Sequence, residues 1–232
     1  MEQIYMIPVN EAFDECKKEG SCRCPICVMY EKLQKKELDT ALGPAMMEPS
    51  TRIETNEKGF CHKHFDMMLK MNNKLSLALI LESHIDEIKG KLKGGFLSKL
   101  TGAQSKKDAK TAQSITDSCY ICEKIEYHLS RMIDTAVYLY STDPKFREKL
   151  KEQKYFCLPH YQRILEHAQN KLDKKKGKDF HTDISEVENA YFEKILKDVS
   201  WFCKKFDYRY DSEPWYDSKD AVERAIRLLS GE

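Results

Sequence analysis

Four short pairs carry the chemistry of this 232-residue chain: Cys24 and Cys27, Cys61 and His64, Cys119 and Cys122, Cys157 and His160. In every pair, two residues separate the members. Thiolate and imidazole are the donors that zinc prefers, and such a spacer lets both members of a pair reach one ion. Three cysteines and one histidine complete a tetrahedral set. A redox pair needs the same Cys-x-x-Cys spacing, but in a βαβ setting. An iron–sulfur cluster takes the same donors and is the lesser alternative.

The pairs belong to an internal repeat. The first copy reads CPICVMYEKLQKKELDTAL and then GFCHKHFDMML; the second reads CYICEKIEYHLSRMIDTAV and then YFCLPHYQRIL. Cys24 and Cys27 precede Cys119 and Cys122 by 95 positions, and Cys61 and His64 precede Cys157 and His160 by 96. Thirty-three residues separate the two pairs in the first copy and 34 in the second. This matching predicts one zinc in each copy, two per chain. The first would be held by Cys24, Cys27, Cys61 and His64, the second by Cys119, Cys122, Cys157 and His160. Alignment of the copies also chooses the ligands. Leu158 stands opposite His62 and Asp117 opposite Cys22, so His64 and Cys24 are selected. Cys16, Cys22 and Cys203 are left over. Cys203 follows Phe202 on an apolar stripe and is expected in the core. Cys22 beside Arg23 is a candidate reactive thiol.

Helices must position these donors. Glycine and proline are scarce, with 9 and 7 residues, and the apolar spacing is helical. Asn10 is expected to cap a helix through Cys16 that stops at Gly20. Pro25 opens a helix to Leu42, and a short helix runs from Pro49 to Lys58. A long helix from His62 to Lys89 is expected to be the most buried, because LSLALIL is apolar all round. Residues 90–112, rich in Gly and Lys, read as a loop joining repeats 24–90 and 119–175. Helices follow at 119–141, from Pro144 to Glu152, and at 159–175. KKKGK is expected to break the chain. The next helix carries Ile184, Val187, Tyr191, Ile195, Val199, Phe202 and Phe206 on one face. An aromatic stretch, FDYRYDSEPWYDS, precedes a last helix over 218–230.

The expected architecture is therefore all-α: a single domain over 1–232, made of a duplicated zinc-clamped helix pair plus C-terminal helices. In each copy two helix N-termini would face the ion, which suits the net negative charge of three thiolates around a divalent cation. Asp39 and Asp134, twelve residues past each CxxC pair, lie too far up their helices to be ligands.

Other chemistry finds little support. The chain contains no phosphate-binding glycine loop, no dinucleotide fingerprint and no nucleophile elbow. His84, His128, His167 and His181 stand alone and suit packing or solvent contact. Four protein donors leave no open position for hydrolysis. The net charge of +1 gives no global field for nucleic acid, although lysine clusters at 89–110 and 171–178 keep that reading as an alternative. The longest strongly apolar run, residues 75–81, is far short of a membrane span of about 20 residues. The N-terminal segment lacks the pattern of a signal peptide, which together with the thiols predicts a reducing, cytoplasmic location.

These motifs carry a resemblance. IPVNEAF (7–13), CPIC (24–27), GPAMMEPSTRIETNEKGFCHKH (43–64), CYIC with CLPH, and FDYR, PW and SKDA within 206–221 resemble a bacterial family without an established activity. The likeness covers nearly the whole chain. Some members carry a label as substrate-binding proteins of ABC transporters. The lack of a signal peptide and lipoprotein cysteine argues against that role here. The expected function is a non-enzymatic, zinc-binding interaction module with a protein partner. A thiol- or metal-responsive sensor is the alternative.

Overall fold

The computed structural model describes residues 3–18, 23–92 and 103–231. Among the described residues the chain is all-α, with eleven α-helices and no strand. They are α1 (Met6–Lys17), α2 (Pro25–Leu42), α3 (Pro49–Lys58), α4 (His62–Lys70), α5 (Lys74–Leu92) and α6 (Ala103–Thr116). Then come α7 (Tyr120–Thr142), α8 (Pro144–Lys151), α9 (Leu158–Lys171), α10 (Lys174–Lys204) and α11 (Ala221–Ser230). The expected stop at Gly20 and the proposed reactive Cys22 lie outside the described residues, as do residues 93–102 of the expected loop.

The chain packs as two compact units, residues 1–31 with 129–232 and residues 32–128. Their borders fall inside α2 and α7 and cut across both sequence repeats.

The unit formed by 32–128 is built around Leu33, Leu38, Met68, Leu77, Ile80, Ile121 and Ile125, all buried. Helix α3 packs on α5: Arg52 donates to Leu79 O at 3.1 Å and to Ser83 Oγ at 2.8 Å, and buried His84 meets Asn56 O at 2.8 Å. The single helix expected over 62–89 is two. Asn72 takes a left-handed turn at φ 59°, a conformation asparagine tolerates, and the Asn73 side chain accepts from Ser76 N. Helix α5 is not the most buried element, since Leu75, Leu79 and Ile85 are exposed while Leu77, Ile80 and His84 are covered. Within the expected loop, residues 103–112 are helical. Their sequence, AQSKKDAKTA, is rich in strong helix formers.

The unit formed by 1–31 and 129–232 stacks aromatic side chains. Phe13 meets Phe146 at 4.8 Å and Phe156 at 6.2 Å; Tyr155 stacks on Tyr191 at 4.4 Å. Asp143 caps α8 by accepting from Lys145 N at 2.9 Å, as its Asp-Pro sequence predicts. Asn10 is no cap: it lies inside α1, donates to Met6 O, and accepts from Lys149 Nζ at 2.8 Å. KKKGK does not break the chain, because Asp173 caps α10 by accepting from Lys175 N and Lys176 N at 3.0 and 2.9 Å. The apolar stripe of α10 is buried only as far as Ile195. Phe202 leans on Phe206 and Trp215 at 5.3 and 5.8 Å, which turns Cys203 outward; it is exposed, not a core residue. Asp134 accepts from Lys171 Nζ and lies 2.7 Å from His167 Nδ1, tying α7 to α9.

The aromatic tail is organised by Lys205. Its buried ammonium donates to the carbonyls of Tyr210, Asp211 and Glu213 at 2.7, 3.1 and 2.7 Å. Arg224 on α11 is likewise buried, donating to Asp198, Asp220 and the Asp217 carbonyl.

Candidate metal centres

Each leading cysteine immediately precedes a helix, and its partner lies in the first turn. Cys24 precedes α2, Cys61 precedes α4, Cys119 precedes α7 and Cys157 precedes α9. The cysteine carbonyl accepts the first helical bond: Val28 N to Cys24 O, Phe65 N to Cys61 O, Glu123 N to Cys119 O and Tyr161 N to Cys157 O. A residue at that position and one three further on share a side of the helix start, so both side chains face one point.

All eight predicted donors are gathered into two clusters, but not the expected two. One holds Cys24, Cys27, Cys157 and His160; the other holds Cys61, His64, Cys119 and Cys122. Each centre takes its CxxC from one copy and its CxxH from the other. Each lies within one compact unit, the first in 1–31 with 129–232 and the second in 32–128. The pairing predicted within each copy is therefore overturned. The expectation that two helix N-termini meet at each centre holds, with α2 and α9 at the first and α4 and α7 at the second.

Contacts distant in sequence make the exchange. After α3, Tyr120 N donates to Gly59 O at 2.9 Å and Ser118 Oγ to Lys58 O at 2.6 Å, which delivers Cys61 beside Cys119. Lys58 with Glu123 and Lys124 with Glu54 reinforce the seam at 2.6 and 2.9 Å. In the other unit, Gln153 Nε2 donates to Phe13 O, Lys17 pairs with Glu152, and Phe156 packs on Phe13. These bring Cys157 to the end of α1 and hence to Cys24.

The donor geometry fits a tetrahedral ion. Metal–sulfur bonds of about 2.3 Å and metal–nitrogen bonds of about 2.0 Å imply edges of about 3.8 Å between sulfurs and about 3.5 Å from sulfur to nitrogen. Cys27 Sγ and Cys157 Sγ are 3.6 Å apart, and Cys61 Sγ and Cys122 Sγ 3.8 Å. His160 Nδ1 lies 3.1, 3.3 and 3.7 Å from Cys157, Cys27 and Cys24. His64 Nδ1 lies 3.2, 3.3 and 3.5 Å from Cys61, Cys119 and Cys122. None of the measured sulfur separations is near the roughly 2.0 Å of a disulfide.

Electrostatics ask for a cation. Burial, aided by neighbouring thiols, pushes Cys24 well above the usual thiol range. Burial and the adjacent Cys119 push Cys122 up to about 12. Thiol donors from Cys24 and Cys27 draw Cys157 down to about 4. At Cys61 burial opposes ionisation, but backbone N–H groups and the two other thiols outweigh it and lower its value. Three thiolates in such close quarters cannot all ionise without a positive partner, and a divalent ion is one. Burial and the Lys63 charge lower His64, which favours the neutral imidazole that ligates.

Three supporting residues lie outside the donor pairs, and of these only Gly59 carries a sequence signal, as the glycine that closes α3. Gln34 of α2, buried, sits 3.0 Å from His64 Nε2. The Gln34 amide nitrogen is the atom at that distance, and turning the amide over presents its oxygen to a proton on Nε2, the bond that outer residues make to ligand histidines. Glu188 of α10 accepts from Phe156 N at 3.0 Å, next to Cys157. Gly59, at φ 60°, packs so tightly on His84 that a Cβ would lie 2.5 Å from Nε2. The repeat offers no hint of it, since Tyr155 stands opposite. His62 is exposed and pairs with Asp66, so the choice of His64 agrees with the structure.

The protein is thus of a defined class, an all-helical chain with two Cys3His clusters able to hold metal ions. It belongs to a Family of unknown function (DUF6062), which matches residues 1–232. No curated protein and no solved structure matches the chain.

Proposed function

We propose that the chain binds two zinc ions, one at Cys24, Cys27, Cys157 and His160 and one at Cys61, His64, Cys119 and Cys122. Their role is to hold the fold together as a non-enzymatic interaction module. The observation that carries this reading is the pair of four-donor sets with sulfur and nitrogen spacings near those of a tetrahedral zinc site. Four protein donors fill the coordination shell, as in structural rather than catalytic sites. Borderline-soft zinc suits a mixed thiolate and imidazole set. A protein partner is the occupant suggested by the exposed aromatic residues Phe206, Tyr208 and Tyr216. A reducing compartment such as the cytoplasm suits six thiols that must stay reduced to bind. Among the described residues, no helix is long and apolar enough to cross a membrane.

Elemental analysis of the purified chain tests the reading. Two zinc atoms per chain are expected, and a chelator should unfold the protein, because structural zinc binding is coupled to folding. One ion, none, or iron with sulfide would overturn it.

A further inference from the structure

The two centres differ in what covers them. In the first, Cys24, Cys27 and Cys157 are 0, 2 and 0 % exposed. Gly231, which ends α11 at φ 84°, lies over it: a Cβ there would sit 3.5 Å from Cys157 Sγ and 3.8 Å from Cys27 Sγ. Helix α11 lies outside the repeat, so duplication supplied no counterpart for the second centre. There Cys122 is exposed and Cys61 half-buried, while His64 and Cys119 are buried. The two accessible sulfurs are also neighbours, 3.8 Å apart.

We propose that the second centre is a hydroperoxide-reactive site in which Cys122 and Cys61 close a reversible disulfide, while the first centre stays reduced. This rests on the metal-binding reading above and adds a regulation to it. Thiol oxidation needs a thiolate, access and a neighbouring thiol; a bound divalent ion would keep Cys122 ionised, and its exposure and the nearby Cys61 sulfur supply the rest. The Cys122 thiolate attacks the hydroxyl-bearing oxygen of a hydroperoxide, the O–O bond breaks, and the departing oxygen takes a solvent proton as water or an alcohol. Cys122 is left as a sulfenic acid. The Cys61 thiolate attacks that sulfur, the S–S bond forms, and hydroxide leaves and takes a second proton. Two sulfurs have lost one electron each, and the O–O bond has gained both. Closing the bond requires the sulfurs to approach by somewhat under 2 Å, from 3.8 Å to about 2.0 Å, a side-chain movement. Only Cys119 and His64 then remain as donors, too few for a tetrahedral ion.

The test uses the metal-loaded chain carrying Cys203→Ser, which removes an exposed thiol outside both centres. Bound ions are counted first, hydrogen peroxide is added, release is followed with a chromogenic chelator, and cysteines are mapped by alkylation and peptide mass spectrometry. The expected result is release of one ion per chain, a Cys61–Cys122 disulfide, and recovery with a thiol reductant. The second ion should lag by about tenfold or more, since its sulfurs are covered. Two ions bound but released together, a disulfide elsewhere, or no disulfide would overturn the inference and leave the metal-binding reading standing. No ion at the start would overturn both.

Discussion

The exchange of partners between the two copies has a sharp consequence for paired substitutions. Cys24→Ser removes a donor from the first centre, and Cys157→Ser removes another from the same centre. If a centre binds its ion with a dissociation constant a thousandfold below the free concentration, that ion contributes about 4 kcal/mol to stability. Once Cys24 is gone the centre no longer closes, so adding Cys157→Ser should cost little more. The double variant should bind one ion and lose about 4 kcal/mol in total. Cys24→Ser with Cys61→Ser breaks both centres, so it should bind none and lose about 8 kcal/mol. The coupling energy of about 4 kcal/mol in the first pair, against near zero in the second, far exceeds the roughly 0.5 kcal/mol scatter of additive sites. At about 2–4 °C per kcal/mol for a chain of this size, one lost centre should lower Tm by about 8–16 °C. Elemental analysis and thermal unfolding of these two double variants and of the three single ones, Cys24→Ser, Cys61→Ser and Cys157→Ser, read both quantities. If Cys24→Ser with Cys61→Ser kept one ion while Cys24→Ser with Cys157→Ser kept none, each copy would hold its own ion and the structural reasoning would fail.

Three further outcomes follow from single positions. Gly59→Ala places a Cβ 2.5 Å from His84 Nε2 on a backbone at φ 60°, ψ −155°, so it should cost about 2–4 kcal/mol and deplete the ion at the Cys61 centre alone. His84→Ala added to it should recover the clash but not the backbone strain, and full recovery in thermal unfolding would contradict the geometry. Burial raises the Glu188 carboxyl to about 7, above its unfolded value, so the native state holds the extra proton between about pH 4.5 and 7 and stability falls as pH rises through that window. Glu188→Gln keeps an acceptor for Phe156 N without the charge; relative to wild type it should gain about 1–3 kcal/mol by pH 8 and nothing at pH 4, read from urea midpoints across pH. Lys205→Met strips three carbonyls of their donor and should cost about 2–4 kcal/mol, loosening the tail and shifting Trp201 and Trp215 fluorescence; an unchanged spectrum would refute the clamp.

The sequence alone picked out the candidate donors and most of the helices that carry them. Pair spacing depends on one turn of helix, a local property, so Cys24, Cys27, Cys61, His64, Cys119, Cys122, Cys157 and His160 were readable one pair at a time. The repeat even resolved His64 from His62. Capping by Asp143 and the helix opened by Pro25 were legible for the same reason. Local signals also misled where a side chain could play two parts. Asn72 turns the chain and Asn73 starts a new helix where the apolar neighbours would continue one, and Asp173 starts one in a lysine-rich stretch that reads as a break.

Only the tertiary structure decided which pairs share a cluster. A repeat aligns equivalent positions but carries no information about which copy completes which site, because two like halves fit either way. The choice was made by contacts more than fifty residues apart in sequence: Gly59 O accepting Tyr120 N in one unit, Gln153 reaching Phe13 O in the other. Burial was decided at the same level. Equivalent cysteines in the two copies differ in exposure because Gly231, at the end of a helix outside the repeat, covers Cys27 and Cys157 and leaves Cys122 in solvent.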